Sequence, residues 1–159
     1  MWLKYADAPI ANEGLIDCEQ SSGRPSSYKK PSGFWITDDS ENCWRSWCMS
    51  ERFSLESLTH KHEIVLDESN ILILRCPYDL DDFSRDFGTS HWCIDWPKVA
   101  ARYDGLIITP YQWERRMDHD WYYGWDCASG CIWKANAIKD IRLVAVDYEV
   151  AKPKESEAT

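Results

Sequence analysis

The sequence predicts an α+β fold with mixed, mostly antiparallel sheets and short helices. Short apolar segments typical of strands are scattered among short amphipathic segments, and no regular strand–helix–strand rhythm is present. The length of 159 residues suits one hydrophobic core. We therefore expect a single domain over residues 1–151, followed by a disordered polar tail over residues 152–159.

The first predicted elements are two strands separated by a long loop. Residues 2–8 and 33–37 are apolar and aromatic, as strands are. Residues 12–33 are rich in Gly, Ser and Pro, which predicts a loop or a mobile lid.

A helix is predicted to follow the second strand. Asp38, Asp39 and Ser40 are suitable caps for a helix that begins near Glu41. Apolar residues then recur at helical spacing, which predicts one buried face. These residues are Cys43, Trp44, Trp47 and Cys48.

The second half supplies further strands and two helices. Residues 62–76 contain two apolar runs around a polar turn and are predicted to form two strands. Leu80, Phe83 and Phe87 share a helical face, and Pro97 is well placed in the first turn of another helix. The remaining predicted strands lie within residues 105–111, 131–138 and 141–151.

The charge of the chain limits its partners. The net charge is −9, and residues 38–96 hold 13 acidic against 5 basic residues. Binding to duplex DNA needs a basic face, so we do not expect it. The acidic block suits solubility or a basic protein partner.

The termini and the cysteines indicate a cytoplasmic protein. The first residues lack the apolar core of a signal peptide, and no apolar run is long enough for a membrane span. Seven cysteines without a signal sequence suggest reduced thiols. None of their spacings is the C-x2-C of common zinc sites, so we expect no metal.

The densest group of candidate functional residues lies between Pro110 and Trp133. Aromatic faces can stack on a base, and guanidiniums can pair with a pyrophosphate. Asp126 lies among apolar neighbours, where a carboxylate is either hydrogen-bonded or poised for chemistry. The alternative is a satellite core with solvated arginines. The candidates are Tyr111, Trp113, Arg115, Arg116, Trp125, Asp126 and Ser129.

A second candidate is the segment that leads into the second strand. Lys30 could reach a phosphate, and Gly33 would allow a ligand close to the backbone. Trp35 and Thr37 follow on the strand itself. The alternative is a loop whose lysines are only solvated. The sequence contains neither a G-x-G-x-x-G nor a G-x-S-x-G motif, which gives little support to a Rossmann fold or a serine hydrolase.

The order of elements resembles the ADP-ribosyltransferase fold, in which an NAD-binding cleft lies between two small antiparallel sheets. Four segments carry the resemblance: KPSGFWIT, HEIVLDESNILILR, YDGLIITPY and CIWKANAIKDIRLVAV. It implies a split sheet and a mono-ADP-ribosyltransferase that uses NAD as a substrate. Through KPSGFW and WYYGWDCASGCIW the chain also resembles small proteins of bacteriophage type. That likeness implies the host cytoplasm, with a host protein or RNA as acceptor.

Two positions depart from the pattern of that family. The first strand offers Lys4 or Tyr5 where the family usually has His or Arg. Ser129 or Gly130 stands where a Glu or Gln usually opens the closing strand. Either Asp126 replaces the glutamate, or the protein binds a nucleotide without transferring ADP-ribose.

The resemblance also implies roles for the candidates. Asp126 would stabilise the oxocarbenium-like ribose as the nicotinamide bond lengthens. Thr37 would hydrogen-bond the ribose. The nicotinamide would stack on Tyr111, Trp113 or Trp125, and the pyrophosphate would be held by Arg115 or Arg116 with Lys30. The alternative is a non-catalytic inhibitor or adaptor whose acidic block binds a basic, nucleic-acid-associated protein.

Overall fold

The computed structural model describes residues 1–21, 29–89 and 92–153. Within these ranges the chain forms seven strands and four α-helices. The strands are β1 (Trp2–Ala6), β2 (Phe34–Thr37), β3 (His60–Leu66), β4 (Ile71–Leu74), β5 (Gly105–Ile108), β6 (Ser129–Ile132) and β7 (Ile138–Val146). The helices are α1 (Trp44–Glu51), α2 (Pro77–Phe87), α3 (Trp96–Ala100) and α4 (Asp120–Tyr123).

All seven strands belong to one mixed sheet, in the order β4-β5-β6-β2-β1-β3-β7. Only the pairing of β4 with β5 is parallel among these neighbours, and the other pairings are antiparallel. The predicted α+β class with a mostly antiparallel sheet is therefore confirmed.

The sheet is weakest in its middle, between β1 and β2. These strands share one residue pair, Leu3 with Thr37. By contrast, β2 and β6 share four pairs, and β1 and β3 share five. Strands that pair at a single point diverge on either side of it, so the sheet consists of two halves that meet at Leu3 and Thr37.

Strand β5 carries the core on both of its faces. Leu106 and Ile108 belong to a large aromatic cluster that includes residues of α2 and α3. Ile107 points the other way, into an aliphatic cluster with Ile36 and Ile132. Alternate residues of a strand face opposite sides of the sheet, so a strand buried on both sides is apolar throughout.

Helix α2 follows its predicted pattern. Leu80, Phe83 and Phe87 are all buried in the aromatic cluster. Pro77 occupies the first turn, where its missing N–H removes no helical hydrogen bond. The spacing of three apolar residues was sufficient to locate this helix.

The predicted start of α1 was wrong. The helix begins at Trp44, and its cap is Cys43, whose sulfur accepts from the Ser46 N–H at 3.5 Å. The Asp38 carboxylate accepts hydrogen bonds from Ser40 and from the Thr109 hydroxyl, at 2.7 Å for Thr109. Because Asp38 is engaged in that turn, the helix starts later than its sequence position suggests.

The two strands predicted within residues 62–76 exist but do not pair with each other. Strand β3 lies between β1 and β7, whereas β4 pairs with β5 at the opposite edge of the sheet. The apolar runs were sufficient to predict the two strands, but their positions in the sheet depend on pairing with strands distant in sequence.

The predicted loop over residues 12–33 is fastened at its base. The Gln20 side chain donates to the Ser32 carbonyl at 2.7 Å and accepts from its N–H at 2.9 Å. The Trp96 indole donates to the Lys29 carbonyl at 2.9 Å. Residues 22–28 of this loop, and residues 154–159 of the predicted tail, lie outside the described residues.

Among the residues that the structure describes, no helix is long and apolar enough to cross a membrane.

Candidate functional site

A cavity of about 350 Å³ lies where β1 and β2 diverge. Its walls come from both halves of the sheet, from the first residue of α1 and from the segment that enters β6. Divergent strands leave a gap that side chains must line, so the incomplete pairing creates the cavity. The lining residues are Leu3, Lys4, Tyr5, Lys30, Trp35, Ile36, Thr37, Trp44, Trp125, Asp126, Cys127 and Ser129.

Lys4 bridges the two halves of the sheet. Its ammonium donates to the Trp35 carbonyl at 2.8 Å and lies 4.5 Å from the centroid of the Phe34 ring. The Lys4 side chain thus crosses the gap between β1 and β2. Its ammonium takes the place of the backbone N–H that a regularly paired strand would have donated to the Trp35 carbonyl. Burial lowers the pKa of Lys4, because the charged form loses hydration.

Lys30 approaches the cavity from the loop side. It is exposed, and its ammonium lies 5.6 Å from the centroid of the Trp35 ring. A cation over an indole face is an attractive arrangement. Two ammonium groups therefore converge on the cavity from different elements.

Asp126 is the carboxylate of the cavity wall. It is 30% exposed, and its Oδ1 lies 3.5 Å from a guanidinium nitrogen of Arg116. Arg116 is in turn held near two rings, 5.9 Å from the Trp113 centroid and 5.2 Å from that of Tyr123. The Asp126 carboxylate is thus partly accessible, and its ion pair with Arg116 restrains its orientation.

Thr37 and Ser129 line the cavity, but their hydroxyl protons are donated within the protein. The Thr37 hydroxyl donates to the Ala128 carbonyl and accepts from the Trp44 N–H, both at 2.8 Å. Ser129 donates to the Cys127 carbonyl at 3.0 Å. Toward a ligand these oxygens therefore act most readily as acceptors.

Trp125 and Tyr111 form the rear support of the cavity. Trp125 is 1% exposed, and the Tyr111 hydroxyl donates to its carbonyl. Burial raises the pKa of Tyr111 to about 12. The Trp125 indole N–H is buried without a hydrogen-bond partner among the described residues, an arrangement that typically costs ~1–3 kcal/mol.

Cys127 is a wall residue rather than a nucleophile. Burial raises the pKa of its thiol to about 12, so the reactive thiolate is scarce at neutral pH.

The structure brings together seven of the residues predicted from the sequence. Lys4, Lys30, Trp35, Thr37, Trp125, Asp126 and Ser129 all line the cavity. Arg116 and Tyr111 contact that group from outside.

The remaining predicted residues have other structural contacts. Gly33 faces β6: an added Cβ would lie 2.6 Å from the Ile132 carbonyl oxygen, so close strand packing accounts for this glycine. Arg115 forms a two-pronged ion pair with Asp81, at 2.9 and 3.1 Å. Trp113 is 57% exposed and does not line the cavity.

Sequence reasoning did not assign Trp44 and Cys127 to the site. Trp44 was predicted to lie on a buried helix face, but it is half-buried at the cavity. The hydrogen bond from its backbone N–H to the Thr37 hydroxyl, at the end of β2, places it there. The sequence did contain one indication of this role: Trp44 and Trp47 follow closely after the strand that contains the candidates Trp35 and Thr37.

The cavity is locally positive in an acidic molecule. Among the described residues neither Lys4 nor Lys30 forms an ion pair with a carboxylate, and Asp126 is already paired with Arg116. The molecule as a whole carries −9. A positive, aromatic-walled cavity favours an anionic ligand that contains a flat ring.

Within the described ranges, no group of three or more His, Cys, Asp or Glu side chains is arranged to hold a metal ion. Comparison of the chain with protein-family models, curated proteins and solved structures found no match.

Proposed function

We propose that the protein binds a nucleotide in the cavity and transfers the ADP-ribosyl group of NAD to an acceptor. The observation that carries this proposal is the combination of indole walls, two ammonium groups and one carboxylate in a single cavity. Its volume of about 350 Å³ lies in the range of small-molecule sites, at the size of part of a dinucleotide rather than a whole one.

The anionic part of the ligand would be held by the lysines. Lys4 and Lys30 converge on the cavity, and an ammonium binds phosphate as a point charge without fixed geometry. Arg115 is engaged with Asp81, so the phosphate role predicted for it passes to the lysines. Arg116 would act on Asp126 rather than on phosphate.

Asp126 would act on the ribose. When the bond between nicotinamide and the ribose C1′ breaks, its electron pair leaves with the nicotinamide nitrogen, and positive charge develops on the ribose. A nearby carboxylate stabilises that charge. The acceptor's nucleophilic atom then bonds to C1′ and releases its proton. Arg116, 3.5 Å from the Asp126 carboxylate, would hold it in orientation during this step.

The proposal is tested by calorimetry with NAD and by measuring nicotinamide release. Asp126→Asn keeps the shape of the side chain and removes its charge. We expect nicotinamide release to fall roughly 100- to 1,000-fold, as when an electrostatic stabiliser is lost, while the dissociation constant for NAD changes much less. Asp118→Asn is the matched control, because Asp118 is exposed and outside the cavity.

Two results separate the parts of the proposal. Wild-type protein that binds NAD but releases no nicotinamide, with or without lysate protein or RNA as acceptor, would show nucleotide binding without transfer. Absence of any NAD binding would reject the proposal entirely.

A further inference from the structure

Four aromatic side chains line the cavity: Tyr5, Trp35, Trp44 and Trp125. A ring can stack on a ligand only through a face that the protein has left uncovered. The contacts of each ring therefore indicate which one is available.

Trp125 and Trp35 are largely engaged with the protein. Trp125 is 1% exposed and packs against Trp121, with centroids 6.3 Å apart, and against Tyr122 at the same distance. Trp35 meets Trp125 edge to face, at 5.0 Å and 64°. The Lys30 ammonium lies over the Trp35 ring. Neither indole offers a free, undisturbed face.

Among the described residues, one ring stacks on Trp44, and it covers one face of the indole. That ring is Trp47, with centroids 5.3 Å apart and planes 14° from parallel. Phe53 contacts both indoles edge to face, at 6.2 Å from Trp44 and 5.5 Å from Trp47. Trp44 is half-buried and lines the cavity, so the face opposite Trp47 is the one that a ligand can meet.

The backbone of Trp44 is also fixed before any ligand binds. Its N–H donates to the Thr37 hydroxyl, and that hydroxyl donates to the Ala128 carbonyl. This chain of bonds ties the first turn of α1 to the ends of β2 and β6. A ring held in place beforehand loses little conformational entropy when it stacks on a ligand.

We propose that Trp44 is the stacking surface for the base of a bound nucleoside phosphate, and that Trp47 and Phe53 are positioning residues that hold its plane. This inference rests on the proposed nucleotide-binding function and names the ring contact within that site. It replaces Tyr111, Trp113 and Trp125 as the stacking residues expected from the sequence.

The experiment compares ligands with and without a base. Calorimetry is performed with AMP, nicotinamide mononucleotide and ribose 5-phosphate. For Trp44→Leu we expect the affinity for the two nucleotides to fall roughly 5- to 100-fold, the range for one lost base–aromatic stack, with ribose 5-phosphate unchanged within about twofold. Trp44→Phe, which keeps an aromatic face, should retain most of the nucleotide affinity.

Matched variants locate the effect. Trp113→Leu removes an exposed indole outside the cavity and should bind the nucleotides as the wild type does. Tyr5→Leu removes the remaining aromatic wall and should weaken nucleotide binding less than Trp44→Leu does. Trp47→Leu should weaken nucleotide binding to a smaller extent, with rescue by Trp47→Phe, and it provides a second test if Trp44→Leu does not fold. Thermal unfolding verifies that each variant is folded.

The possible outcomes distinguish a failure of the stacking role of Trp44 from a failure of the proposed nucleotide binding. Wild-type binding of nucleotides with no loss in Trp44→Leu, or an equal loss for ribose 5-phosphate, would overturn the role of Trp44 and leave nucleotide binding in place. A larger loss in Tyr5→Leu would assign stacking to Tyr5 and also overturn it. A wild type that binds none of the three ligands would reject the proposed function itself.

Discussion

Lys4 is the residue at which stability and proposed function conflict. Its ammonium is largely buried in the gap between β1 and β2, and burial lowers its pKa. The carbonyl of Trp35 and the ring of Phe34 compensate only part of the lost hydration. Under the proposed function, a bound anion would compensate the remaining part.

Replacing this charge should therefore help the fold and harm binding. For Lys4→Met we expect the free energy of unfolding to stay equal or to rise by about 1 kcal/mol, because a desolvated charge is replaced by an apolar chain of similar length. The affinity for NAD should fall roughly 10- to 100-fold with the loss of a charge-assisted contact. Denaturant unfolding and calorimetry measure the two quantities.

Lys139→Met is the control, because Lys139 is exposed on β7 and does not line the cavity. Neither quantity should change in that variant. A destabilised Lys4→Met with unaltered NAD affinity would mean that Lys4 serves only to join the two halves of the sheet.

At the scale of elements, Asp81 connects helix α2 to the segment behind the cavity. It accepts two hydrogen bonds from Arg115 and lies 2.8 Å from His119 Nε2. Ser84, one turn further along α2, lies 3.3 Å from His119 Nδ1 and accepts from the Trp121 indole at 2.7 Å. These contacts hold in place the segment that carries Arg116.

Asp81→Asn should lower stability in a pH-dependent way. The Arg115 guanidinium, followed by His119, holds the pKa of Asp81 below its usual range. A lowered pKa in the folded state stabilises the fold above the unfolded pKa of about 3.9, and that contribution is lost as the pH falls through the folded pKa. We expect a loss of about 1 kcal/mol at pH 7, since Asp81 is partly exposed, and a vanishing difference in strong acid.

The measurement is thermal unfolding of both proteins from pH 7 down to about pH 1.5, below the lowered pKa of Asp81. Asp82→Asn is the control, because within the described part of the chain Asp82 forms an ion pair only with the exposed Arg85. If the difference between wild type and Asp81→Asn stayed constant with pH, the carboxylate charge would not be the stabilising factor.

Local patterns predicted the elements, whereas their partners required the folded chain. Leu80, Phe83 and Phe87 revealed α2 because helical spacing is a local property. Nothing local indicated that β3 and β4 would lie in different halves of the sheet, since pairing depends on contacts distant in sequence. The same reason applies to Arg115: its partner Asp81 is 34 positions away, so a guanidinium beside aromatic residues looked available for a ligand.

The sequence likewise predicted those site residues that have a local signal and missed one that depends on the folded chain. Trp125, Asp126 and the strand residues Trp35 and Thr37 were found because aromatic and polar residues of the right chemistry are adjacent in sequence. Trp44 was missed because helical spacing places it with buried residues, and only the end of β2 brings it to the cavity.

At the scale of the whole molecule, the divided sheet places the cavity between two half-sheets. A ligand that contacts Lys4 on β1 and Trp35 on β2 would join the halves where the strand pairing fails. Binding to the folded state alone raises stability by mass action. Occupancy of the cavity should therefore be visible in the unfolding of the entire domain.

We expect NAD at 100 times its dissociation constant to stabilise the protein by about 2.7 kcal/mol, which corresponds to a rise in Tm of roughly 5–10 °C for a chain of this size. Differential scanning fluorimetry measures the shift. At the same NAD concentration, Lys4→Met should show a clearly smaller shift than Lys139→Met. Equal shifts in the two variants would place the ligand somewhere other than the cavity.

The acidic block bears on the alternative role as an adaptor. On α2, Asp82 and Asp86 both pair with Arg85, while Asp81 pairs with Arg115. A basic partner would compete with these internal cations for the same carboxylates. Docking of such a partner on α2 would therefore have to replace the internal pairs of Asp81, Asp82 and Asp86.

The fastened base of the loop has a practical consequence. Gln20 and Ser32 hold the outgoing and returning chain together, and the Trp96 indole donates to the Lys29 carbonyl. Because these bonds fix the chain next to Lys30, an affinity label inserted beyond them in the loop should leave the position of Lys30 unchanged. The molecule thus offers a natural attachment point from which it could be tethered or imaged with its cavity still facing solution.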